Sequence, residues 1–183
     1  MRGKSHHFLG QHLIRQYIPN IADIHKQAFL IGCVEPDRNP FTYLKGSIRC
    51  QWLRGHNYRS ARRFMRRLSR RLEKKTCWNA YDYYTLGKLI HYTADAFTSA
   101  HNDTFPMSLS DHRKYEAALQ KHFLMYLQEE PEVDLKAARS IMYAITGYHR
   151  EYEELESSIH TDSYFALTAC CCVLALLFSK PVL

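Results

Sequence analysis

Eleven histidines stand in this 183-residue sequence, and their spacing decides what chemistry they could do. His91 and Asp95 are four residues apart, so on a helix both side chains leave one face and can reach a single ion. A lone pair of this kind is usually a surface contact. Here His101 follows six residues on, and His112 with Glu116 repeats the four-residue interval. Upstream, Asp37 lies among turn formers, His56 stands just before a strongly basic segment, and His6 or His7 could add a ligand from the N-terminal side. Imidazole and carboxylate donors without thiolates suit zinc or a similar first-row metal. Five to eight such groups exceed the needs of one tetrahedral ion, so the series predicts a multinuclear centre.

Such ligands need rigid elements to hold them. With 46% hydrophobic and 23% charged residues, the chain has enough apolar material for a core, which excludes disorder as its default state. Only 7 Gly and 6 Pro leave too few turns for a sandwich or barrel. The expected architecture is all-α, a single-domain multi-helix bundle spanning residues 1–183. Phe8, Leu9, Leu13, Ile14 and Tyr17 mark a first helix, and Ile21 to Val34 a second. The string Glu35-Pro36-Asp37-Arg38-Asn39-Pro40 should end that second helix, leaving Asp37 in a loop. Ala61, Phe64, Met65, Leu68 and Leu72 form the stripe of a third, with Asn57 as its cap. Tyr84 to Phe97 carries His91 and Asp95 on a fourth, after which His101 enters a loop. A helix starting near Ser110 or Asp111 carries His112 and Glu116 and runs to Pro131, and another is expected from Asp134. Tyr164 to Phe178 is a 15-residue apolar run. At about 22 Å it falls short of the roughly 30 Å hydrocarbon core, so it reads as a buried core helix and not a transmembrane span.

The formal net charge of +7 is concentrated in one place. From Arg59 to Lys75 there are seven Arg and two Lys against one Glu, a local balance of +8. The plain reading is a solvated amphipathic helix; the functional one is docking on an anionic surface of lipid, phosphate or nucleic acid. The six cysteines include no C-x-x-C pair and read as thiols, not a disulfide framework. His12, Arg15 and Gln16 interrupt the N-terminal apolar residues, so no secretory signal is visible and a reducing cytoplasm is the expected location. His12, His25, His122, His149 and His160 read as surface or structural residues.

The ordered motifs resemble the zinc-dependent phospholipase C family, whose helical fold is shared with zinc single-strand nucleases. The family's H-x(3)-D-x(5)-H followed by H-x(3)-E is matched by His91, Asp95, His101, His112 and Glu116. Gly32 to Asp37 resembles its G-x(3)-P-D segment, Gly55-His56-Asn57 its next histidine, and His6-His7-Phe8-Leu9-Gly10 its N-terminal H-x-x-L-G. The resemblance implies one zinc on Asp37, His56, His91 and Asp95, a second on His101, His112 and Glu116, and His6 with Asp95 as part of a third. It selects His6 over His7. It further implies hydrolysis of a phospholipid or related phosphodiester by metal-bound hydroxide, and Asp37, a carboxylate able both to bind metal and to accept a proton, is the candidate catalytic residue that would orient or deprotonate the attacking water. Two departures are visible. Secreted members complete the third site with a processed N-terminal tryptophan, where this chain has Met1-Arg2-Gly3, and Arg38 follows Asp37 where choline-preferring members have an aromatic residue. The alternatives are a zinc nuclease acting on single-stranded nucleic acid and a noncatalytic metal-binding helical protein.

Overall fold

A computed structural model describes residues 1–38, 58–102 and 109–178. Among these residues seven α-helices and one 3₁₀ turn form, with no strand. The helices are α1 (Gly3–Tyr17), α2 (Asp23–Arg38), α3 (Tyr58–Leu72), α4 (Ala80–Ala96), α5 (Leu109–Gln128), α6 (Ile141–Glu153) and α7 (Ile159–Phe178). The 3₁₀ turn, Ser99–His101, follows α4.

Helix α4 is the axis of the arrangement. Every residue from Thr85 to Ala96 is buried, as expected of a helix enclosed on all sides by others. Its start is fixed by a reciprocal cap: Asp82 N–H donates to the Asn79 side chain (3.1 Å), and Asn79 N–H donates to Asp82 Oδ2 (3.2 Å). The same Asp82 carboxylate receives Arg71 and Lys75, each at 3.0 Å, which ties the end of α3 to the start of α4. Helices α2, α3, α7 and α1 pack around α4, while α6 lies against α7 and α3, and α5 against α1 and α7. One hydrophobic cluster draws residues from all seven helices, among them Leu13, Phe29, Met65, Leu89, Phe123, Ile145 and Leu174.

The α2–α4 crossing is the closest of these contacts and sets the position of the site. A Cβ on Gly32 would lie 2.2 Å from the Tyr84 carbonyl oxygen, and one on Gly87 would lie 2.1 Å from that of Phe29. Backbone therefore meets backbone, and one turn beyond, the Cys33 carbonyl reaches His91. Gly32→Ala or Gly87→Ala should force the helices apart and cost about 3 kcal/mol, the upper part of the range for overpacking. Gly147 in α6 has nothing within 4 Å of its virtual Cβ. There alanine should instead gain about 0.5–1 kcal/mol from helix propensity. Urea denaturation of the three variants would measure the contrast; equal effects at Gly32 and Gly147 would contradict the crossing.

Three expectations need correction. Asp37 is not in a loop, because α2 continues through Pro36 to Arg38. Proline's φ suits a helix, and in the last turn its missing N–H removes a single bond. Burial of Val34 and Pro36, with the Lys88–Glu35 ion pair at 3.2 Å, holds this turn on α4. Second, no helix begins at Asp134. Residues 131–138 run without helix, the Tyr148 hydroxyl accepting from Lys136 N–H and donating to the Asp134 carbonyl. Helix α6 begins only where Ser140 caps it by accepting from Tyr143 N–H. Third, α7 is longer than its apolar run, starting at Ile159. Its length and composition would let it cross a membrane, yet 67% of its most apolar window is buried, including Phe165, Cys170, Cys171, Cys172 and Leu174.

Candidate metal centre

Two clusters of donor atoms form where α1, α2, α4, the 3₁₀ turn and α5 converge. In the first, His6, Asp37, His91 and Asp95 offer ligand atoms all within 4.8 Å of one another. In the second, His101, His112 and Glu116 do the same. Asp95 joins the two, with Oδ2 3.2 Å from His91 Nε2 and 3.7 Å from His101 Nδ1, and Oδ1 3.2 Å from His6 Nε2. His6 thus gathers with Asp37, His91 and Asp95, and His7 faces Phe8 instead. His56 lies outside the described residues.

The local structure accounts for each position. The four-residue interval puts His91 and Asp95 on one face of α4, and the same interval brings His112 Nε2 to 3.6 Å from Glu116 Oε1 on α5. His91 donates Nδ1–H to the Cys33 carbonyl (2.9 Å), which orients the ring and turns Nε2 toward Asp95 and Asp37. The His6 ring stacks on that of His91, with centroids 3.9 Å apart.

The electrostatics of this cluster are those of a site built around positive charge. Burial opposes ionisation of Asp95, but His101, the Met1 ammonium, His6 and His91 outweigh it and hold the carboxyl well below its usual range. Burial and the neighbouring His91 push His6 down to about 3, leaving it a neutral donor at neutral pH. Burial and the charge of Asp95 push Asp37 up to about 6. The Met1 ammonium stands between the clusters, 2.7 Å from Asp95 Oδ1, 3.2 Å from His101 Nε2 and 3.6 Å from Glu116 Oε1, a buried cation in the midst of the donor set. Both His6 ring nitrogens and Asp95 Oδ2 are buried and lack a well-formed hydrogen bond, although His6 Nε2 and Asp95 Oδ2 each stand in a 3.2 Å charge contact. Buried polar atoms are rarely left so. Imidazole and carboxylate atoms that converge in this way fit zinc.

One buried carboxylate beyond the motif supports the second cluster. Asp162, fully buried on α7, accepts from Ser99 N–H (2.9 Å), the Tyr152 hydroxyl (2.7 Å) and the Tyr115 hydroxyl. Ser99 opens the turn that carries His101, and Tyr115 precedes Glu116, so a single side chain braces two elements of the cluster. Burial pushes its pKa up to about 6 although Ser99 pulls the other way. Sequence reasoning missed Asp162; the one signal was an acidic residue at the head of an otherwise apolar segment.

An all-helical frame with two imidazole–carboxylate clusters, one on α1, α2 and α4 and the other on the 3₁₀ turn and α5, has the donor chemistry of a zinc protein. A family model for zinc dependent phospholipase C matches residues 5–170, a span that includes every donor above, and the chain belongs to this family, a family of hydrolases. No curated protein and no solved structure matches the chain.

Proposed function

We propose that the protein is a zinc-dependent phosphoric ester hydrolase that cleaves phospholipids at the phosphodiester in the manner of a phospholipase C. The observation that carries this reading is the pair of donor clusters lying within the family match. His6, Asp37, His91 and Asp95 would hold one ion, and His101, His112 and Glu116 another. Zinc supplies Lewis acidity, acidifying a water toward a pKa of about 7 and stabilising charge on phosphate oxygens. The Cys33 carbonyl keeps His91 Nε2 directed inward, and Asp95 supplies negative charge to both clusters. Asp37, partly exposed at the edge of its cluster, accepts the proton of the attacking water at a carboxylate oxygen.

The exposed face of α3, with Arg59, Arg62, Arg63, Arg66, Arg67, Arg70 and Arg71, suits a bilayer rich in anionic lipid. Substituting Glu for Arg63, Arg66 and Arg67 should lower affinity for phosphatidylserine vesicles at least about tenfold, with added salt weakening the parent protein in the same direction.

The direct test supplies zinc and a short-chain phospholipid to the purified chain and follows release of diacylglycerol and a phosphorylated headgroup. Cleavage of single-stranded nucleic acid but not lipid would favour the nuclease reading. Hydrolysis of neither, nor of an aryl phosphodiester, would leave a noncatalytic metal protein.

Asp162→Ala should weaken zinc binding by about ten- to a hundredfold at the second cluster, the range for residues that orient ligands. Asp162→Asn, which keeps an acceptor oxygen, should lose less. Zinc titration separates them, and full affinity in Asp162→Ala would show that Asp162 does not brace the cluster.

A further inference from the structure

Among the described residues Lys88 is the one buried lysine. Its ammonium lies 3.2 Å from Glu35 Oε2 and donates to the Tyr84 hydroxyl (3.4 Å). It also stands 5.1 Å from the centroid of the Tyr84 ring and 5.9 Å from that of Phe64. Taking two charges out of water commonly costs as much as the pair returns, and apolar residues of similar volume would stabilise the same contact at least as well. What the pair positions explains it better than what it adds to stability.

Its place in the fold is specific. Glu35 is two residues before Asp37 on the last turn of α2, and Lys88 is three residues before His91 on α4. That turn of α2 contains Pro36, which has no N–H to give to the Gly32 carbonyl, so its own backbone holds it weakly. Contacts from outside hold it instead. Two residues apart, Glu35 and Asp37 leave the helix about 200° from each other, so the ion pair and the Asp37 side chain grip opposite sides of one turn. On the Asp37 side, Oδ1 lies 3.6 Å from His91 Nε2, and the start of α1 is near enough that a Cβ on Gly3 would meet Oδ2 at 3.6 Å. Releasing Glu35 lets the turn rotate, and that rotation carries Asp37 away from His91.

We propose that Lys88 and Glu35 are positioning residues of the first cluster, which set its affinity for zinc by placing Asp37. The proposal rests on the reading of that cluster as a zinc site.

Titration of the full chain with zinc against a competing chelator reads this affinity independently of any substrate. Lys88→Met, whose side chain suits the rings of Phe64 and Tyr84, should weaken zinc binding at the first cluster by about ten- to a hundredfold, the range for residues that orient ligands. Glu35→Gln should weaken it in the same way, and carries the test if Lys88→Met does not fold. Lys88→Arg keeps the cation and should retain most of the affinity. In an Asp37→Ala background the effect of Lys88→Met should shrink to about twofold or less, because no carboxylate is left to place. Lys136→Met, which breaks an exposed ion pair outside both clusters, should leave zinc binding unchanged. Unaltered affinity in Lys88→Met and Glu35→Gln, a loss of equal size with and without Asp37, or a loss in Lys88→Arg as large as in Lys88→Met would overturn the proposal and leave the zinc site standing. A parent protein that takes up no zinc would remove the site and the proposal together.

Discussion

Asp95→Ala is expected to lose metal and activity together. Protein purified without chelator should carry at least two zinc ions per chain, and the variant should fall short of that and show at least a hundredfold weaker affinity. The magnitude is a floor: residues that merely orient metal ligands cost about ten- to a hundredfold when changed, and Asp95 reaches His6, His91 and His101 directly. The loss is also electrostatic. Asp95 is the fully buried carboxylate facing the Met1 ammonium and these imidazoles, and removing one side of a buried ion pair typically costs about 3–5 kcal/mol. Circular dichroism and a melting curve on metal-free samples would separate unfolding from ligand loss. Asp95→Asn, which keeps the shape and removes the charge, supplies the comparison should the alanine variant fail to fold. Elemental analysis finding full zinc in Asp95→Ala would refute a ligand shared between the clusters.

The helices were legible wherever one face had to be apolar. The stripe on α3 and the enclosed character of α4 appear in the order of residues, because a 3.6-residue period is imposed by burial itself. Legibility failed where tertiary contacts overrode local signals. Pro36 carries the local signature of a helix stop, yet α4 lies close enough, through Gly32 and Gly87, to hold the last turn of α2 in place. The reverse occurs at residues 131–138, where the Tyr148 hydroxyl takes up the backbone groups of a segment whose composition suits a helix. Neither the hydroxyl nor the opposing backbone is adjacent in sequence, so no local window contains the cause.

The site divides along the same line. His91 with Asp95 and His112 with Glu116 are intervals within single helices, and their convergence follows from helix geometry. The choice of His6 over His7 came from motif resemblance alone, and the reason appears only in three dimensions: the His6 ring lies on His91 while His7 turns to Phe8. Asp162 is more distant still, joined to Ser99 across 63 positions. Its role is to satisfy buried donors that the backbone of a tight turn leaves behind, and no spacing rule within one helix announces such a partner.

Asp37→Asn is expected to retain most of its zinc and to lose at least about a hundredfold in turnover, the low end of general-base effects. Asparagine keeps the side-chain shape and one neutral oxygen for the metal, but its amide cannot take a proton from water. The pH dependence gives an independent check. Burial and the charge of Asp95 push the metal-free Asp37 carboxyl up to about 6, so below that pH the site holds a proton which zinc must displace. Zinc affinity of the parent protein should therefore fall more steeply between pH 7 and 5 than that of Asp37→Asn, which has no such proton to lose. His91, whose pKa is raised because Asp95 and Asp37 outweigh its burial, contributes to the slope in both proteins. The difference between the two curves reports Asp37, both through its own proton and through its part in raising His91. An Asp37→Asn protein with full zinc and an undiminished rate on a phosphodiester would remove Asp37 from catalysis, and parallel affinity curves would show that its carboxylate is not protonated in the range where the metal competes.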